Sequence, residues 1–234
     1  MAKYHIIACN VLWREICHFS SLSKNRFTFN FLPQGLHDTP ETLRSELQKA
    51  INDSPEDSEA ILIGYGLCSN GLAGVTAKTT KLVAFRAHDC ITCLIGSKER
   101  YAEYFNEHPG TYWYSPGWIE TGHQPGKERV ERLRASYAEK YGEENADYLM
   151  EMEQGWFKKY SRAAYIDMGI TEDRDYINYT KECADYLKWE YDELKGSSRL
   201  IREILDGNWN NDDFLVVNPG QTIKASNDST IIAT

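Results

Sequence analysis

The chain has 234 residues, 41% hydrophobic and 26% charged, a balance that belongs to a folded globular protein and excludes wholesale disorder. At roughly 150 residues per domain this is one large domain or two small ones, long enough to bury a core without a disulfide or a metal. Lys plus Arg is 26 and Asp plus Glu is 35, a net charge of −9 with no basic block, which argues against nucleic acid or an anionic membrane as partner.

Tyr4 to Cys9 is a short apolar run, read as a first strand, and Val11 to Phe19 follows at helical spacing. No stretch approaches the roughly 18 apolar residues that span a bilayer. The opening MAKYHIIACN turns polar too soon for a signal peptide, so a cytoplasmic protein is expected. In that reducing compartment its six cysteines are more often free, metal-bound or catalytic than paired. Residues 26–31 contain FTFNF, the alternation of a half-buried strand. Thr39-Pro40 marks a helix start, with Leu43, Leu47 and Ile51 as its apolar stripe. Ala60 to Ile63 is a third strand, and the small residues from Ser69 to Ala77 suggest a short helix. Lys81 to Phe85 is a fourth strand, with a helix expected from about Ile91 to Phe105.

Strand alternating with helix through residues 1–107 predicts a Rossmann-like α/β unit with a mostly parallel sheet. No GxGxxG opens its first helix, so a dinucleotide is not indicated. Residues 108–234 predict a second, helix-rich α/β region packed on the first. It holds an aromatic strand and turn at Gly110 to Trp118 and charged helix from Gly126 to Tyr160, broken near Gly142. A strand at Ala163 to Gly169 precedes a helix from Thr171 to Leu187, capped by Thr171 with acids in its first turn. Ser197 to Leu205 is helical, Phe214 to Val217 is a late strand, and the polar tail KASNDSTIIAT reads as mobile.

Ligands of open parallel sheets bind beyond the carboxyl ends of the strands. Cys9 ends the first strand, Cys68 follows the third, and His88, Asp89 and Cys90 follow the fourth. If the first, third and fourth strands are neighbours, Cys9, Cys68, His88 and Cys90 converge on one rim. Thiolates with one imidazole suit zinc or an iron–sulfur cluster. The competing reading is packing, because a free cysteine often behaves as a small hydrophobe, and Cys17 and Cys183 are read that way. Asp89 also fits as the N-cap of the next helix. Cys90 and Cys93 form a CxxC, a weak signal for metal or redox chemistry. Gly66, Asn70, Asp89, Tyr112 and Trp118 are further candidates for substrate or cofactor contact.

GYGLCSNG, AHDCITCLIGS, GTYWYSPGW and FLVVNPG together resemble Domain of Unknown Function family 1638, a likeness that begins at IIACNVLWREIC. The resemblance implies a setting in anaerobic archaea and bacteria, often beside corrinoid-dependent methyltransferases. It also implies a shared pattern at Cys9, Cys68, His88, Asp89 and Cys90, whereas many relatives lack a cysteine at the place of Cys93. The first functional expectation is a zinc or iron–sulfur protein acting in corrinoid-dependent methyl transfer or corrinoid handling, with a corrinoid protein or methyltransferase as partner. The second is a metal-free enzyme using Cys68 and Cys90 as acid and base. The third is a non-catalytic module whose aromatic segment holds a corrinoid or a protein partner.

Overall fold

The computed structural model describes residues 1–171 and 175–234. Its first half runs β1 (Lys3–Cys9), α1 (Trp13–Leu22), β2 (Arg26–Leu32), α2 (Pro40–Asn52), β3 (Ala60–Gly64), β4 (Leu82–Phe85), α3 (Cys90–Ile95) and α4 (Lys98–Glu107). Next come β5 (Thr111–Tyr114), α5 (Pro116–Thr121), α6 (Lys127–Tyr141), α7 (Glu143–Glu153) and β6 (Arg162–Asp167). The chain closes with α8 (Asp175–Leu187), β7 (Glu190–Lys195), α9 (Arg199–Asp206), β8 (Phe214–Val217), β9 (Lys224–Ala225) and β10 (Ile232–Ala233).

The fold is mixed α/β, with a mostly parallel central sheet flanked by helices. Its order is β2-β1-β3-β4-β8; the first four strands are parallel and β8 runs antiparallel against β4. All of β3 and β4 and nearly all of β1 are buried, which is why these strands read as continuous apolar runs without alternation. β2 lies at the edge and is only half-buried. Helix α9 turns Leu200, Ile201, Ile204 and Leu205 inward and packs against α1 and α3. The central sheet thus draws its fifth strand and one covering helix from beyond residue 108.

The second sheet is parallel, in the order β5-β6-β7. Alternation along its strands serves two layers. Trp113, Ala164 and Ile166 join the main core, while Tyr114, Ala163 and Tyr165 form a smaller core with Cys183 and Ala184 of α8.

Several local expectations change. Residues 69–77 hold no helix: Cys68, Ser69 and Asn70 all take positive φ, turns run to Gly74, and Thr76 bridges Thr222. The helix expected from about Ile91 to Phe105 is two helices. Gly96 (φ 81) ends the first, and the Ser97 hydroxyl caps the second by accepting from Arg100 N at 3.1 Å. The tail forms the β9–β10 hairpin, anchored by buried Ile231 and Ile232 and by Arg86, whose guanidinium donates to the Ile232 and Thr230 carbonyls. The Thr171 cap with Glu172 and Asp173 in the first turn falls on residues 172–174, outside the described residues. Among those residues no helix is long and apolar enough to cross a membrane.

One buried charge stands out between the layers. Glu15 on α1 is 0% exposed, and both of its carboxyl oxygens lack hydrogen-bond partners among the described residues. Neighbouring Arg14 is committed to Glu120, which also accepts from Trp13 Nε1 at 3.1 Å. Burial pushes the Glu15 carboxyl up from 4.5 to about 7, with Glu120 adding to the rise and Arg14 opposing it. A raised acid favours the folded state while protonated, so its support is full below pH 4.5 and is lost as pH rises through about 7. Glu15→Gln should therefore gain on the wild type by about 3 kcal/mol between those limits. Urea unfolding of both proteins at pH 4.5 and pH 8 checks this; parallel pH profiles would refute a buried, unpaired carboxylate.

Candidate functional site

A cleft of about 860 Å3 opens beyond the carboxyl ends of β1, β3 and β4. Thiols form one wall: Cys9 at the end of β1, Cys68 in the loop after β3, and Cys90 at the start of α3. The sulfurs of Cys68 and Cys90 are 3.9 Å apart and buried. Cys9 lies within hydrogen-bonding reach of Cys90. Hydrogen bonding with Cys90 and burial push the Cys9 thiol far up, and the bond with Cys68, followed by burial, does the same to Cys90.

The loops that carry these thiols are tied backbone to backbone. Leu67 N donates to the Ala87 carbonyl and Cys68 N to the His88 carbonyl, each at 2.8 Å. Gly66 permits this approach: a Cβ there would stand 2.6 Å from Asp89 N and 2.7 Å from Asp89 Cα. The chain then turns through Cys68, Ser69 and Asn70 at φ 45, 54 and 68. Three successive non-glycine residues in the left-handed region cost on the order of 1 kcal/mol each. Gly71 N donates to the Cys68 carbonyl, and Arg44 holds the Asn70 and Ala73 carbonyls, so the turn is braced from both sides.

Asp89 caps α3, accepting from Ile91 N at 3.0 Å and Thr92 N at 3.3 Å. Its other oxygen accepts from the Tyr101 hydroxyl at 2.7 Å, which ties α4 to the same corner. His88 is exposed and lines the cleft, as does Asp89. Gly66 and Asn70 shape the loop without lining the cleft. Cys93 is fully buried and faces the core, so the CxxC does not present two thiols to the site. Among the described residues, no group of three or more His, Cys, Asp or Glu side chains stands in a geometry ready to hold a metal ion.

The opposite wall is aromatic. Tyr112 and Trp118 line it, with Trp118 Nε1 donating to the Tyr112 hydroxyl at 3.3 Å and that hydroxyl donating to Gln124 Oε1 at 3.2 Å. The Ser115 hydroxyl caps α5 by accepting from Trp118 N at 3.2 Å, which fixes the indole. Trp156 and Tyr160 complete the wall with ring centroids 6.0 and 5.4 Å from Tyr112.

The chain matches the family model described as Protein of unknown function (DUF1638) over residues 31–205. It belongs to that family. Cys68, His88 and Cys90 lie inside the matched span, and Cys9 precedes it. No curated protein and no solved structure gives a significant match.

The structure of this DUF1638 chain adds cleft residues that sequence reasoning missed. Tyr65 is 2% exposed, lines the cleft beside Cys9, and its hydroxyl has no hydrogen-bond partner among the described residues. Its place between Gly64 and Gly66, after an apolar strand, was the available signal. Arg129, paired to Glu153 at 2.8 Å and 5.9 Å from the Trp156 ring centroid, comes from charged helix with no motif.

Gly66→Ala should force the two loops apart and cost about 1–3 kcal/mol. Chemical denaturation measures it; a variant within about 0.5 kcal/mol of wild type would show that the loops do not press on each other.

Proposed function

We propose that the protein binds a thiophilic metal centre, zinc or an iron–sulfur cluster, through Cys9, Cys68 and Cys90, with His88 completing the set. The observation that carries this reading is the 3.9 Å between the Cys68 and Cys90 sulfurs. Two thiolates about 2.3 Å from one tetrahedral ion stand about 3.8 Å apart. Buried thiols held neutral by burial and mutual hydrogen bonding ionise when a cation enters among them, because the ion reverses the local charge balance. A bound ion would require the Cys9 and His88 side chains, which line the same cleft, to turn toward the Cys68–Cys90 pair. The unpartnered Tyr65 hydroxyl then has an acceptor, either a thiolate or a group bound at an open position of the centre. The same distance disfavours the acid–base alternative, since sulfurs nearly in contact leave no room for a carbon between them.

The aromatic wall supports a bound substrate with a flat apolar face. The extension to corrinoid-dependent methyl transfer or corrinoid handling, with a corrinoid protein or methyltransferase as partner in the cytoplasm, rests on the family setting. In it the thiol centre accepts or presents the methyl group and Tyr112 and Trp118 meet the macrocycle.

Elemental analysis and visible absorbance of anaerobically purified protein test the centre. Brown protein with iron indicates a cluster, and colourless protein with zinc a mononuclear site. Cys68→Ser and Cys90→Ser should each lose the metal while circular dichroism stays native, because a chain of 234 residues buries a core sufficient to fold without the ion. Cys17→Ser, remote from the cleft lining, should keep it. Full metal content in Cys90→Ser would sink the ligand assignment.

A further inference from the structure

We infer that Cys68 and Cys90 form a reversible disulfide that closes the thiol wall of the cleft. All six cysteines are free, and these two are the pair whose sulfurs stand 3.9 Å apart. A disulfide brings sulfurs to about 2.05 Å, so each side chain has to give by only about 1 Å. The Cys68 N to His88 carbonyl bond already holds one loop against the other. The braced left-handed turn at Cys68, Ser69 and Asn70 keeps the Cys68 sulfur facing Cys90. Both residues line the cleft, which gives a small oxidant a route to them.

The oxidant is of the class of small disulfides. The Cys68 thiolate attacks one sulfur of oxidised glutathione; a protein–glutathione S–S bond forms, the glutathione S–S bond breaks, and one glutathione thiolate leaves. The Cys90 thiolate then attacks the Cys68 sulfur, forming the internal bond and expelling the second glutathione thiolate. The two protein thiols lose two electrons, glutathione disulfide gains them, and the two thiol protons go to the two leaving thiolates. Cys68 leads because its neighbour Ser69 is exposed, whereas Cys90 is followed by a fully buried helical turn.

The step uses the sulfurs on which the proposed metal site rests, and it excludes the ion, since a sulfur in a disulfide offers no thiolate to a cation. The site would therefore exist in two exclusive forms, a reduced form open to metal and an oxidised form closed to it.

The test uses the full chain, reduced and stripped of metal with a chelator, then held anaerobically with oxidised glutathione. After denaturation, alkylation and digestion, the expected result is loss of two of the six alkylatable thiols and a linked peptide pair joining Cys68 to Cys90. Dithiothreitol should restore all six. Cys9→Ser should form the same link, while Cys68→Ser and Cys90→Ser should not form it. Six retained thiols, or a link that joins Cys9 to Cys90 in the wild type, would overturn the inference. The wild-type peptide map decides this even if a variant fails to fold. Zinc binding to the reduced protein, measured separately, reads the metal proposal: no metal with the Cys68–Cys90 link present defeats that proposal alone, and metal without the link defeats the disulfide alone.

Discussion

The site depends on one close backbone approach, the segment after β3 lying against the segment after β4. Two hydrogen bonds at 2.8 Å join them, and the absent side chain of Gly66 lets them meet. Each neighbouring feature takes its position from that seam. Cys68 is turned toward Cys90, and Asp89 is delivered to the first turn of α3. Through its second oxygen Asp89 also receives Tyr101, so α4 is oriented by the same corner. A parallel sheet alone would put these loops at one rim, about 4.8 Å apart strand to strand. It is the seam that turns nearness into sulfur–sulfur contact.

The second sheet supplies the facing wall by a different device. β5 alternates between two cores, with Trp113 turned to the first layer and Tyr114 to α8, so the strand is clamped between them. The Ser115 cap then starts a short helix at a fixed angle and sets Trp118 across the cleft. Thiols therefore come from the strand end and loops of the buried, mostly parallel sheet, and aromatic rings from the smaller one and the segments that connect its strands. The cleft is the space between two braced walls that share the main core through Trp113, Ala164 and Ile166.

The alternation of strand and helix made the central sheet legible, because β1, β3 and β4 are apolar throughout and each precedes a polar or glycine-bearing turn. The rim positions of Cys9, Cys68 and Cys90 followed from the strand ends. Other features were hidden for physical reasons. Asn70-Gly71 carried a turn signal, but Cys68 and Ser69 have no left-handed preference of their own, and the small residues up to Ala77 suggested packing against a sheet. The split near Gly96 was signalled only by one glycine at the end of an apolar run and the Ser97 that follows it, and helices tolerate a single glycine at a modest cost. β7, Glu190–Lys195, is charged and half-exposed at the edge of its sheet, so it carries no apolar run to mark it. Tyr65, Arg129 and Trp156 entered the cleft through tertiary packing that no local pattern encodes.

The antiparallel return of β8 has a consequence for how the chain is made. β4 emerges from the ribosome early, but its outer neighbour begins only at Phe214, well over a hundred residues later. At translation rates of 5–20 residues per second that interval is on the order of ten seconds. Throughout it, a wholly buried strand of the finished protein presents an unpaired edge of Leu82, Val83, Ala84 and Phe85. A nascent chain that pairs β3 with β4 before Phe214 is made would carry that apolar edge uncovered until the last strand arrives.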